Sequence, residues 1–198
     1  MNSNRKPIFI RLNDEDLKRI DRLAKEQSNK YGHDQGYFIL GRNESSHKIG
    51  FIGEIGVLRF FKQTYGLKES EDIGQEAMGE KFDEYITING KKHFLHIKTG
   101  KWKKWPTDDM VFGVHFAQKI EQSKSPIILI SYLQGDESVV RIEGFITAEE
   151  LGKCKLIKKG EIFPGMNYPS RTDNHLTYFS QYRDIMELTE YLSNFYRK

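Results

Sequence analysis

The chain has 198 residues, of which 37% are hydrophobic and 30% charged, and its formal net charge is +3. This composition is typical of a folded globular protein, and the length suits one domain that buries its own core. No apolar run is long enough to cross a membrane, and the first residues lack the pattern of a secretory signal. The single cysteine, Cys154, excludes an internal disulfide. These features predict a cytoplasmic protein with no membrane partner.

The first segment predicts a strand and then a helix. Residues 7–12 have strand character, Asn13 is a good N-cap, and apolar residues then recur at helical spacing from Asp14 to about Ser28. A strand followed by a helix also resembles the start of a ribbon-helix-helix DNA-binding protein. No second helix in matching register follows, so we interpret this helix as a packing element. Residues 29–46 read as a loop, in which Arg42 could contact a ligand.

The second predicted helix spans residues 47–63, with Ser45 or Ser46 as its cap. It is apolar around most of its circumference, which is typical of a buried helix. It carries glycines at intervals of three residues, which indicates a close approach by another backbone. Glu54 lies among them. A carboxylate in such surroundings is costly unless it pairs with a cation, either a neighbouring basic side chain or a metal ion.

Residues 82–98 predict a β-hairpin around Asn89-Gly90, because this dipeptide favours the tight type I′ turn. A two-residue turn places Asp83 opposite His96. Because side chains alternate along a strand, Asp83, His96 and Lys98 should share one face. The other face is apolar and consists of Phe82, Ile86, Leu95 and Ile97. The alternative is a surface hairpin with ordinary cross-strand polar pairs.

A basic and aromatic loop follows the hairpin directly. It contains Lys101, Trp102, Lys103, Lys104 and Trp105. Lysines suit a phosphate backbone and aromatic rings can stack on bases, so this loop is a candidate nucleic-acid contact. A solvated lysine-rich loop is the alternative.

The remaining segments predict further elements of a single domain. Residues 112–122 should be a helix, residues 126–133 and 139–146 should be strands, and the capping box 147–150 should open a short helix. Residues 155–177 read as a loop and residues 183–195 as a terminal helix. The domain would then consist of an N-terminal appendage over residues 1–46, a core over 47–152 and a C-terminal loop and helix over 153–198.

The order of these motifs resembles the PD-(D/E)xK nuclease superfamily. The motifs are the helix with Gly-Phe-Ile-Gly-Glu54, then Phe-Asp83, then His96-Ile-Lys98-Thr-Gly, and the resemblance covers roughly residues 48–152. It implies a restriction-endonuclease-like α/β core, with a central mixed β-sheet flanked by helices. It also implies a DNA endonuclease that uses Mg²⁺ or Mn²⁺ held by Asp83 and Glu54, with Lys98 near the scissile phosphate. Cleavage of both strands would favour a homodimer.

One position departs from the family pattern, because His96 stands where an Asp or Glu should precede Ile97-Lys98. Imidazole is a poor ligand for Mg²⁺. Either Glu54 supplies the missing carboxylate and His96 carries a proton, or Mn²⁺ is used, or the site is silent and the protein only binds nucleic acid. An interaction protein that does not bind nucleic acid is a further alternative.

Overall fold

The computed structural model describes residues 5–31, 44–66, 84–88, 90–115, 125–164 and 169–195. Within these ranges the helices are α1 (Asp14–Tyr31), α2 (Glu44–Tyr65), α3 (Ala148–Gly152) and α4 (Leu188–Phe195). The strands are β1 (Ile8–Arg11), β2 (Glu84–Ile88), β3 (Lys91–Trp102), β4 (Val111–His115), β5 (Ile127–Leu133), β6 (Asp136–Ile146), β7 (Lys155–Ile157) and β8 (Asn174–Tyr178). Two short 3₁₀ turns, Phe179–Gln181 and Ile185–Glu187, precede α4.

A mixed sheet of five strands forms the centre of the fold, in the order β1-β6-β5-β3-β2. The pair β3–β5 is parallel, and the other neighbours in this sheet are antiparallel. The predicted α/β class with a mixed sheet and flanking helices is therefore confirmed at this level. The N-terminal strand β1 belongs to this sheet, because Ile10 pairs with Val140 of β6.

Helix α2 packs across one face of the sheet, which we call the helical face, and α1 packs against α2. The predicted cap of α1 is confirmed, since the Asn13 side chain accepts from the Asp16 N–H at 2.9 Å and Asp16 accepts from the Asn13 N–H at 2.9 Å. The predicted burial of α2 is also confirmed, because its apolar side chains enter the main core. The helix begins at Glu44, ahead of Ser45 and Ser46, so the predicted cap residues are wrong.

Two glycines bring α2 onto the sheet. A Cβ added at Gly53 would lie 1.9 Å from Thr99 Oγ1, and one added at Gly56 would lie 2.7 Å from Val140 Cγ2. The first contact involves β3 and the second β6, so α2 crosses the sheet at a distance that only glycine permits. A close approach occurs at two of the three glycines, but the nearest atoms belong to side chains of β3 and β6 and not to the backbone that the glycine spacing predicts.

The other face of the sheet, the second face, packs against a smaller sheet with the strand order β4-β8-β7. A second core between the two sheets contains Leu129, Ile146, Phe179 and Tyr182. This layer corrects two sequence predictions. Val111–His115 is a strand and not the start of a helix, and the segment predicted as a loop over 155–177 contributes β7 and most of β8.

The other predicted elements are confirmed with small shifts. The strands β5 and β6 lie where the apolar runs placed them, and Thr147 and Glu150 form the predicted capping box of α3. The terminal helix is shorter than expected, because a 3₁₀ turn precedes Leu188. No helix in the described ranges has the length and apolar character needed to span a bilayer.

Candidate functional site

The hairpin follows the register that its Asn-Gly turn predicts. Tyr85 pairs with Phe94, Ile88 pairs with Lys91, and the pairing runs without interruption to Glu84 and Leu95. Asp83 lies outside the described residues, and so does Arg42. The position of Asp83 opposite His96 therefore stays a prediction, made from the same turn arithmetic that the described pairs obey.

The structure places His96 and Lys98 on the second face of β3. Their neighbours Ile97 and Thr99 lie against Gly53 of α2 on the helical face, and the alternation along β3 then assigns His96 and Lys98 to the opposite side. His96 is 4% exposed, whereas Lys98 is half-buried. The predicted sharing of one face by these two side chains is confirmed.

His96 and Lys98 lie where β3 passes from the hairpin into the parallel part of the sheet. His96 pairs with Ile127 and Lys98 with Leu129 of β5, and the His96 N–H donates to the Pro126 carbonyl at 3.0 Å. In the described residues, β2 flanks β3 only as far as Leu95. Both side chains therefore lie just beyond Glu84–Leu95, the last described pair of the hairpin.

Glu54 is carried by a different layer. It is half-buried on α2, directly after Gly53, and α2 covers the helical face. His96 and Lys98 lie on the second face, so the described residues do not bring Glu54 to the same side of β3 as these two groups. Arg59, one of the basic residues that could have paired with Glu54, donates to Asp16 of α1 at 2.8 Å.

The segment predicted as a basic loop has exposed lysines and packed tryptophans, but its first two residues, Lys101 and Trp102, are the end of β3 and not loop. Lys101, Lys103 and Lys104 are exposed. The Trp102 ring packs on Phe112 and Phe179, with ring centroids 6.4 and 5.5 Å apart, and the Trp105 ring meets Phe9 edge to face at 5.2 Å. The tryptophans therefore anchor this loop to the fold, while the lysines are available to a phosphate backbone.

A buried ion pair holds the loop in place, and sequence reasoning missed it. Arg141 donates to the Pro106 carbonyl at 2.6 Å and to the Glu143 carboxylate at 2.7 Å, and its guanidinium lies 5.1 Å from the centre of the Trp105 ring. Arg5 donates to the Glu143 carbonyl at 2.6 Å. The available signal was the pair of opposite charges two residues apart in the apolar strand β6, which must share one face.

The residue types at this site suit a hard divalent cation only in part. Asp83 and Glu54 offer the oxygen ligands that Mg²⁺ prefers, whereas the imidazole of His96 does not. Among the residues that the structure describes, no group of three or more His, Cys, Asp or Glu side chains is arranged to hold a metal ion. Asp83 lies outside the described residues, so this statement does not cover it.

Comparison with known proteins gave no significant match to a family model, to a curated protein sequence or to a solved structure.

Proposed function

We propose that this protein is a divalent-metal-dependent DNA endonuclease. The observation that carries the proposal is the position of His96 and Lys98, side by side on the second face of β3 where it leaves the hairpin and runs parallel to β5. A glycine-rich helix, a hairpin and a parallel neighbouring strand occur in the order that the resemblance to the PD-(D/E)xK superfamily implies. Exposed lysines follow on the same chain segment.

Each group has a role that its chemistry suits. Asp83 and Glu54 would hold Mg²⁺ or Mn²⁺, which when bound stabilises charge on the scissile phosphate and makes water more acidic. Lys98 would contact that phosphate and stabilise the charge that develops on it. His96 would accept the proton of the attacking water, as imidazole does at neutral pH. The exposed lysines and Arg42 would bind the flanking backbone.

Plasmid digestion tests this function. The wild-type protein should nick or linearise plasmid in Mg²⁺ or Mn²⁺ and lose this activity in chelator. Asp83→Asn should abolish cleavage but leave DNA binding intact or tighter, because a negative charge near the phosphate is removed. Asp14→Asn, at an exposed position in the first turn of α1, is the matched control and should cleave normally. Full activity of the Asp83 variant would overturn the assignment.

A catalytically silent nucleic-acid-binding protein on the same fold is the second candidate. The observation that favours it is His96, which replaces the motif acid at a position that is 4% exposed. This candidate predicts salt-dependent DNA binding with no cleavage in any divalent metal. Cleavage of both strands by the first candidate would require two copies related by a two-fold axis, which size-exclusion chromatography of the DNA complex measures.

A further inference from the structure

A pocket of about 450 Å³ opens beside the second face of β3, between β3, β4 and the segment that precedes β8. One wall is aromatic and contains Trp102, Phe112 and Phe163. Polar side chains of Ser170 and Asn174 line another part of it. The volume lies in the range of pockets that take one small ligand.

The pocket is shaped by two glycines and by an internal hydrogen bond. A Cβ at Gly100 would lie 2.6 Å from Trp102 Nε1, and a Cβ at Gly113 would lie 2.8 Å from Phe163 Cζ, so both rings lie close over the strands. On the facing side, the Asn174 amide donates to Ser170 Oγ at 2.9 Å and to the Thr172 carbonyl at 2.9 Å. The polar wall is therefore held in one arrangement before any ligand arrives.

Two cationic residues, Lys101 and Arg171, also line the pocket, and both are exposed. Neither forms an ion pair with an acid in the part of the chain that the structure describes. A ligand that matches an aromatic wall, hydrogen-bonding groups and the positive charge of Arg171 is flat, polar at its edge and anionic. A nucleotide has all three properties, since its base can stack and its phosphate can pair with the guanidinium.

We propose that this pocket binds one unpaired nucleotide of the DNA strand, with the base against the aromatic wall and a phosphate at Arg171. The wall residue Trp102 lies four residues after Lys98 on the same face of β3. The pocket is thus adjacent to the site of the proposed function, on which its role in cleavage rests. Bases inside a duplex are stacked, so the substrate would be single-stranded DNA or a base flipped out of the duplex.

Binding in chelator separates this inference from cleavage. We would measure fluorescence anisotropy of a thymidine oligonucleotide of about ten nucleotides, of an abasic chain with the same number of phosphates, and of the matching duplex. The thymidine chain should bind about tenfold more tightly than the abasic chain, since stacking of one base supplies a difference of this size. It should also bind more tightly than the duplex.

Two variants locate the effect. Thr172→Trp should fill the pocket from its exposed rim and remove the preference for thymidine over the abasic chain. Arg171→Ala should weaken binding of both the thymidine and the abasic chain. The control Lys155→Ala, at an exposed basic position on β7, should leave both affinities unchanged. Circular dichroism would check that Thr172→Trp is folded.

Several results would overturn the pocket assignment. They are equal affinity for the thymidine and abasic chains, a preference that persists in Thr172→Trp, and binding of a phosphotyrosine peptide in place of DNA. A base-dependent affinity together with no cleavage in any metal would leave the pocket standing and reject the nuclease. Metal-dependent cleavage without base dependence would do the reverse.

Discussion

At the scale of single residues, His96 distinguishes an active nuclease from a silent one. If His96 carries a proton in the reaction, His96→Ala should lower the rate of plasmid cleavage by roughly 10²–10⁴, the usual range for general acid–base catalysis. Single-turnover cleavage of plasmid by the two proteins at one pH measures this ratio, and equal rates would exclude the proton-carrier role of His96.

The opposite substitution tests the ligand role of the same position. If His96 only fills the place of a lost acid, His96→Glu should restore an oxygen ligand and raise Mg²⁺-dependent cleavage. A Glu variant that is faster than wild type in Mg²⁺ would exclude an essential His96. A wild type inert with every divalent metal but rescued by Glu would identify a binder that has lost catalysis.

A second histidine, His93, makes stability depend on pH. His93 is 3% exposed opposite Ile86, and burial, with a smaller effect of Lys91, lowers the pKa of its side chain from 6.5. The unfolded chain therefore binds the proton more readily than the folded chain. The stability that neutral His93 contributes is present above pH 6.5 and is lost as the pH falls through the lowered folded value.

We expect the free energy of unfolding to fall between about pH 7 and pH 5, and His93→Leu to reduce that slope. Urea unfolding at several pH values measures it. His115→Gln, at an exposed position in β4, is the control. An identical pH slope in wild type and His93→Leu would assign the dependence to other groups.

At the scale of elements, the contact between α2 and β3 is limited by Gly53. Gly53→Ala would place a methyl group within 1.9 Å of Thr99 Oγ1 and 3.2 Å of Thr99 Cβ, so the helix or the strand must shift. Overpacking of this kind costs about 1–3 kcal/mol, and the better helix propensity of Ala offsets at most about 1 kcal/mol. Chemical denaturation should therefore show a net loss.

A double-mutant cycle shows whether the clash is the cause. Thr99→Ala removes Oγ1, the nearest obstructing atom, so the loss caused by Gly53→Ala should be smaller in its presence. Gly152→Ala, where an added Cβ meets nothing within 4 Å, should be close to neutral. Equal effects of the Gly53 and Gly152 substitutions would contradict the close contact.

The end of β3 and the loop that follows it should bind DNA through electrostatic contacts to its phosphates. Replacing Lys101, Lys103 and Lys104 with Ala should weaken DNA binding similarly across sequences, because all three are exposed and phosphate contacts do not read bases. The slope of log K against log salt should flatten by up to about 3 units, roughly one for each phosphate contact. An unchanged slope in a filter-binding or anisotropy titration would show that DNA does not contact this loop.

Sequence reasoning succeeded where the determinants are local. The hairpin register follows from Asn89-Gly90 and strand alternation, and the start of α1 follows from Asn13, because each signal and its effect lie within a few residues. It failed where the determinants are distant. The local pattern of residues 112–122 predicts a helix, but residues 111–115 form the strand β4. Its strand partner β8 begins at Asn174, and the ring that packs on Gly113 is Phe163, so both determinants lie far along the chain.

The candidate site was predictable to a similar extent. Alternation along β3 correctly placed His96 and Lys98 on one face. It gave no sign that α2, which carries Glu54, covers the other face, since the packing of a helix on a sheet is a non-local choice. It also gave no sign of the aromatic pocket, whose walls come from segments far apart in the chain.

At the scale of the whole molecule, Glu143 connects three segments. Its carboxylate is fully buried and pairs with Arg141 at 2.7 Å, Arg5 donates to its carbonyl at 2.6 Å, and Arg141 reaches the Pro106 carbonyl. Glu143→Gln would leave the buried Arg141 guanidinium without its anion, whereas Arg5 would keep its pair with Asp108. Removing one partner of a buried pair costs about 3–5 kcal/mol, so the midpoint of urea unfolding should fall markedly.

Glu149→Gln is the matched control for that loss. Glu149 pairs with Lys153 at 2.7 Å on the surface of α3, and both side chains are exposed. Such pairs contribute little, so this variant should unfold at nearly the same urea concentration as wild type. If the Glu143 variant were as stable as this control, the buried network would not hold the three segments together.

The pairing of β1 with β6 has a consequence for the order in which the protein is made. Ile8 faces Ile142, so β1 finds its neighbour in the central sheet only after β6 has been synthesised. Until then Ile10 and Leu12, which are buried in the finished fold, have no partner strand. The nascent chain therefore carries this apolar segment without its strand partner from the synthesis of β1 to that of β6, and β1 can join the central sheet only after β6 exists.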